Sequence, residues 1–155
     1  MPGPNPAQAM TEAAPIPAPA AHPTPAVGVI CLRGNEVLLI RRGRPPMAGD
    51  WSLPGGRIEW GERAAEAALR ELMEETGVEA ELLGLVEVAD GLFGDGPVPE
   101  RHYVLIDYAA RWTAGAPRAG DDAAEAAFHP LHALDGLGLW AETLRVIRLA
   151  AERFG

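Results

Sequence analysis

One stretch constrains this chain more than any other: residues 56–78, GRIEWGERAAEAALRELMEETGV. It begins on the second glycine of a Gly55-Gly56 pair and closes on Thr76-Gly77, where glycine is the natural residue to end a helix in a left-handed turn. Between the two ends alanine and glutamate dominate, and both are good helix formers. Glu71, Glu74 and Glu75 sit at offsets of three and four, which puts them on one helical face. Like charges so placed repel by a few tenths of a kcal/mol per pair. A chain that keeps them together needs a cation to set among them, and carboxylate oxygens suit a hard divalent ion. The spacing therefore points to a metal-bearing helix before anything else is read.

The rest of the chain fits a single domain around that helix. Its 155 residues are enough for one core. A net charge of -9 disfavours nucleic acid and anionic membrane as partners, because surfaces that hold phosphate are basic. Phosphate groups would have to be met by local arginines or by metal. No apolar run reaches the roughly 20 residues of a membrane span. The one cysteine, Cys31, excludes an internal disulfide, fits a reducing compartment such as the cytoplasm, and reads as inert core. Residues 1–25 repeat proline and alanine without apolar period and read as a flexible extension, leaving 26–155 as the domain.

Hydrophobic patterning predicts strands over 27–32, 36–42, 79–89, 101–111 and 126–131, with a brief extended segment at 51–54. It predicts a helix from near Glu62 to Gly77, with Ala64, Ala65, Ala68, Leu69 and Leu72 as its apolar stripe, and a second helix over 140–154. Residues 43–50, 90–99 and 112–122 read as loops. The elements sum to an α+β layered sandwich.

The 56–78 stretch resembles the signature of the Nudix hydrolases at every fixed position: Gly56, Glu62, Arg70-Glu71, Leu72, Glu74-Glu75, Gly77 and Val78. Leu53-Pro54-Gly55 ahead of it is also usual in that family. The resemblance implies an α/β/α sandwich with a mixed sheet, often homodimeric. It implies hydrolysis of a nucleoside diphosphate linked to a further group, with Mg²⁺ as cofactor and Mn²⁺ as its substitute. By position, Glu71, Glu74, Glu75 and the carbonyl of Gly56 would be the metal ligands, while Glu62 and Arg70, eight residues apart and able to pair along the helix, would brace the box. Members differ in the general base, and both a glutamate of the signature, Glu71, and one on a later loop, Glu125, remain candidates. Asp121 and Asp122 lie close to the second.

Outside the signature, Arg41 and Arg42 end a strand, and alternation lets only one face the site; Arg42 is preferred as a phosphate contact. The run Pro99-Glu-Arg-His-Tyr103 is similar to the stretch by which mutator-type enzymes approach a nucleotide, which makes Arg101 a second substrate contact. Trp51 and Phe93 have the chemistry to stack on a base. Subfamily marks conflict: the position where many ADP-ribose pyrophosphatases carry proline is Phe93 here, whereas length and loops resemble proteins grouped with them. The expected activity is on a small soluble nucleotide, either a nucleoside triphosphate, oxidised forms included, or ADP-ribose. The alternative is a nucleotide sensor of the same fold that no longer cleaves.

Overall fold

The computed structural model describes residues 21–44, 49–120 and 122–155; most of the proline-rich extension and Asp121 lie outside them. The elements in order are β1 (Thr24–Arg33), β2 (Glu36–Arg42), β3 (Trp51–Ser52), β4 (Gly55–Arg57), α1 (Ala64–Thr76), β5 (Glu79–Phe93), β6 (Arg101–Ala114), β7 (Ala123–Pro130) and α2 (Ala141–Phe154). Two short 3₁₀ turns, Leu131–Ala133 and Asp135–Leu137, lead into α2. The strands form one mixed sheet, with β1 and β6 parallel and the other pairs antiparallel. The two helices cover its opposite faces, so the expected α/β/α sandwich is present.

β1 explains the layering. Its residues alternate between faces, and both faces are covered, so the strand is apolar throughout. Val27, Val29 and Cys31 pack with Leu38, Ala67, Ala68, Leu72 and Val78 beneath α1. Ile30 and Leu32 pack with Val37, Leu39, Leu134, Val146 and Ile147 beneath α2. Cys31 is fully buried, and burial pushes its thiol up to about 12, which leaves it inert at neutral pH. Leu72, the side chain that seats α1, is also fully buried; its truncation to alanine would cost about 2–5 kcal/mol.

Several boundaries differ from those read in the sequence, each for a reason of pairing. β1 starts at Thr24, two residues inside the expected extension, because Thr24 and Pro25 pair with Tyr103 and Val104. β5 continues through Asp90 to Phe93, drawn into the sheet by Arg101 to Val104, so the connecting loop is shorter than expected. β7 begins at Ala123 because β2 pairs with it as far as Arg42. α1 starts at Ala64, with Arg63 extended at its cap. Its buried line runs through Ala67, Ala68, Leu72, Glu75 and Thr76, and Leu69, expected in the apolar stripe, is 38% exposed. Gly77 ends the helix with φ of 71°, and its N–H donates to the Met73 carbonyl.

Candidate active site

The sheet forks, and the site lies in the fork. β1 and β2 pair only at Leu32↔Val37 and Arg33↔Glu36 and then diverge. The gap is filled by the chain before α1: β3 pairs with the end of β2, and β4 pairs with the start of β1. Two glycines make this close approach possible. A β-carbon on Gly55 would overlap the Val27 carbonyl, and one on Gly56 would lie 2.5 Å from the carboxyl carbon of Glu71. Val27↔Gly56 and Gly28↔Gly55 are register partners, so the helix carboxylates meet bare backbone.

Glu75 sits deepest, only 9% exposed. Its Oε2 is buried without a hydrogen-bond partner. Burial raises its pKa first, and the hydrogen bond and charge of neighbouring Glu71 add to that; the Gly55 N–H and the Arg42 charge pull the other way. A buried glutamate beside a second carboxylate favours its protonated form unless a cation takes the proton's place. Glu74 is turned outward, its side chain 44% exposed and 3.2 Å from Arg70.

Arg70 ties the helix to the loop before it. Its Nε and Nη2 donate to the two carboxylate oxygens of Glu62 at 2.6 and 2.8 Å. Nη1 donates to Glu71 at 2.9 Å and to Glu74 at 3.2 Å, and Nη2 also reaches the Arg57 carbonyl at 3.0 Å. Glu62 lies before the helix, so the pair is not made along it. The 57–62 loop folds back, held by the Glu59 N–H donating to Glu62 at 3.0 Å. Arg70, then the Glu59 N–H, lower the Glu62 carboxyl to about 2. A planar guanidinium gripping one carboxylate with two donors is the geometry that favours arginine over lysine.

Among the described residues, no three acidic, His or Cys side chains form a ready-made metal cage. The donors still fit a divalent cation. Mg²⁺ commonly takes one or two carboxylates and completes its shell with water and substrate phosphates. Glu71 and Glu75 supply two adjacent carboxylates, the second of raised proton affinity, with an orphaned oxygen and a glycine cradle.

The other expected residues fall into separate places. The Arg42 charge acts on Glu75, while Arg41 turns to Glu125 at 3.5 Å. Glu125 lies on the side of the sheet that carries His129 and Trp51, whose rings meet edge to face at 4.5 Å, away from Glu71 and Glu75. Asp122 pairs with Arg44 at 3.2 Å. Arg101 stands at the far end of the β5–β6 pair, its buried Nε without a hydrogen-bond partner and its guanidinium 6.0 Å from the Phe93 ring. Phe93 in turn meets Tyr103 and Trp140 at 6.3 and 5.5 Å. The sequence reading missed a second buried acid, Asp107, which sits beneath α2 with Glu87, Glu142 and Arg145 around it. An aspartate inside the apolar run YVLIDYAA was the available signal.

A mixed sheet between two helices, with a glutamate-rich helix docked on a glycine pair in a forked edge, defines a class of phosphate-processing domains, and the comparisons agree. The NUDIX domain model matches residues 22–149. The chain belongs to the Nudix hydrolase family. It is 39% identical over 116 residues to an ADP-ribose pyrophosphatase of Methanocaldococcus jannaschii, covering 75% of this chain and 67% of that one. It is 38% identical over 81 residues to the 8-oxo-dGTP diphosphatase of Escherichia coli, covering 52% of this chain and 59% of the other. Among solved structures, a MutT NUDIX hydrolase from Burkholderia pseudomallei superposes with a TM-score of 0.74 at 30% identity, over 83% of this chain and 98% of that one. The NUDIX domain of Shewanella oneidensis NrtR, solved with ADP ribose, gives the same score at 23% identity over 96% and 99%, a likeness of fold.

Proposed function

We propose that the chain hydrolyses a pyrophosphate bond in a nucleoside diphosphate derivative, using Mg²⁺ or Mn²⁺ held by Glu71 and Glu75, with the Gly56 carbonyl beside them. The observation that carries this reading is the buried, unpartnered Glu75 Oε2 next to Glu71 in the glycine-lined fork. When bound, the metal neutralises phosphate oxygens and makes water a better nucleophile. Glu74, at the rim and 3.2 Å from Arg70, would be the third carboxylate to hold the metal. Arg70 holds Glu71 in orientation and anchors the loop through Glu62. Arg42, facing Glu75, receives a phosphate oxygen of the substrate. Of the two candidate bases, Glu71 is favoured, since Glu125 is paired with Arg41 on the other side of the sheet. Arg101, with a free donor beside the Phe93 ring, meets the part of the nucleotide that extends beyond the pyrophosphate.

ADP-ribose is placed first among the substrates and oxidised deoxynucleoside triphosphates second, in line with the names of the relatives. The setting is the cytoplasm, where both occur as free small molecules. No helix among the described residues is long and apolar enough to cross a membrane. The test is a panel of ADP-ribose, canonical and 8-oxo dNTPs, NADH and diadenosine polyphosphates with Mg²⁺, read as kcat/KM. Release of a nucleoside monophosphate from at least one is expected. Tight binding across the panel without turnover would instead make the protein a sensor.

A further inference from the structure

The connection from β6 to β7 does more than join two strands. It begins with a turn fixed by the Trp112 indole, whose Nε1 donates to the Gly115 carbonyl at 2.8 Å. Gly115 has a φ of 95° and packs so closely on the Gly77 carbonyl that a β-carbon would lie 2.6 Å from it. The chain then crosses the C-terminal end of α1. The Arg118 N–H donates to the Thr76 carbonyl and the Gly120 N–H to the Glu75 carbonyl, both at 2.9 Å. These are helix-end carbonyls, which have no partner within the helix. A β-carbon on Gly120 would overlap the Glu74 carbonyl. α1 has no basic residue in its own last turn. The Arg118 side chain lies across Gly77 and brings positive charge to the negative end of the helix dipole.

The same segment is tied at its far end to the opposite wall of the site. The Ala123 N–H donates to the Gly120 carbonyl at 3.0 Å, and the Gly43 N–H donates to the Asp122 carbonyl at 2.9 Å. Gly43 directly follows Arg42. One short segment therefore holds the backbone of Glu75 on one side and the residue next to Arg42 on the other. Those are the two residues whose side chains act on each other across the fork.

We infer that residues 115–120 are a positioning strap for the reaction: through the Gly120 and Arg118 amides, which hold the Glu75 and Thr76 carbonyls, it sets where Glu75 stands relative to Arg42. The inference rests on the reading of Glu71 and Glu75 as the metal pair. A cap that served only to end the helix would need donors for the carbonyls, but not a connection to Gly43. Displacements of about 1 Å at reacting groups are enough to cost about a hundredfold in rate, so a backbone tie between two such groups has leverage.

The experiment compares the parent chain with Gly120→Ala and with Gly136→Ala, a control at a glycine whose β-carbon would meet nothing within 4 Å. Mn²⁺ binding is read by the electron paramagnetic resonance of the free ion, and folding by thermal melting. Gly120→Ala should melt cooperatively yet bind Mn²⁺ at least about tenfold more weakly, with Gly136→Ala unchanged. A folded Gly120→Ala protein with parental Mn²⁺ affinity would overturn the strap and leave the metal pair standing. A parent chain that takes up no Mn²⁺ would overturn both. Hydrogen exchange on the parent decides the matter even where the variant does not fold. Mn²⁺ should slow exchange at the Arg118 and Gly120 amides and leave the Gly155 amide, bonded to Ala151 at the end of α2, as it was. Unchanged exchange at Arg118 and Gly120 would mean a structural cap and nothing more.

Discussion

Each face of the sheet carries a buried carboxyl group with raised proton affinity, and the two are built alike up to a point. Beneath α1, Glu75 adjoins Glu71, with Arg70 and Glu62 outside them. Beneath α2, Asp107 adjoins Glu87, with Arg145 and Glu142 outside them. On each face one carboxylate also presses on a glycine: Glu71, the neighbour of Glu75, on Gly56, and Asp107 itself on Gly28. The difference is in the backbone under them. Asp107 lies on an unbroken ladder, with β1 and β6 paired from Thr24↔Tyr103 to Leu32↔Arg111. Its neighbouring arginine is engaged elsewhere, with Glu87 at 2.5 Å and Glu142 at 2.6 Å. Glu75 lies in a fork, where the Gly55 N–H, an uncommitted carboxylate oxygen and Arg42 converge. On the proposed reading of Glu75 as a metal ligand, burying an acid does not by itself make a metal site. On that reading the fork would admit phosphate and metal together.

That contrast is most exposed to failure at Glu75. Glu75→Gln keeps the shape and removes the charge, so the fold should persist while Mg²⁺-dependent kcat falls about a thousandfold, equivalent to about 4 kcal/mol of lost transition-state stabilisation. Steady-state hydrolysis of the best panel substrate, with Mn²⁺ titration alongside, measures it. Parental turnover would erase the distinction between the two faces. Arg70→Gln comes next. Arg70 touches Glu62, Glu71, Glu74 and the Arg57 carbonyl, but not the proposed position of the substrate. As a residue acting through the ligands, it should lower kcat/KM by about 10–100-fold. Arg70→Lys should recover little, because an ammonium cannot grip Glu62 with two parallel donors. Full rescue by lysine would show that charge alone matters there.

The sequence made some of this legible and hid the rest. The helix, its glycine entry and the partnership of Arg70 with Glu62 follow from local spacing. What spacing could not show is which neighbours long-range packing brings in. Arg70 reaches Glu71 and Glu74 because the 57–62 loop folds back and orients the guanidinium. Leu69 is exposed because the sheet meets α1 along Ala67, Ala68 and Leu72, a line set by β1 and β2. Glu125 shows the same limit. Its place in the chain suggested proximity to the site, yet strand register sets it opposite Arg41. The ties from Arg118 and Gly120 to the end of α1 join residues some forty positions apart and left no local pattern.

Asp107 tests the other half of the comparison through stability. Burial first, then the Glu87 charge, raise its carboxyl from 3.8 to about 6. Between those values the folded state keeps a proton that the unfolded chain releases. Folding stability therefore falls as pH rises through this window, and it stays lower above pH 6. Asp107→Asn removes the ionisation. The variant should match the parent near pH 4 and exceed it by about 1–2 kcal/mol at pH 7.5, short of the roughly 3 kcal/mol that the full shift implies because a buried amide also needs partners. Urea denaturation at the two pH values measures the difference. A variant less stable than the parent at pH 7.5 would mean that the Asp107 carboxylate has a role this face does not otherwise suggest.

The smallest effect expected is at Glu142, and it separates two accounts of the α2 face. Arg145 holds the Glu142 carboxyl below the usual carboxylate range, by hydrogen bond first, on an exposed surface. Exposed pairs of this kind add little to stability, so Glu142→Gln should move Tm by no more than about 1 °C. It should still be felt at Asp107. The Glu142 charge raises the Asp107 pKa while Arg145 lowers it. Removing the first and leaving the second should shift the Asp107 titration down by a few tenths of a pH unit, an amount that shrinks with added salt. Carboxyl-carbon NMR of Asp107 reads this directly. A downward shift that fades with salt would show an electrostatic neighbourhood with no tight coupling. A shift of a whole unit, insensitive to salt, would show that Arg145 had swung from Glu142 onto Asp107, and that this face, like the fork, holds a cation in reserve for a buried acid.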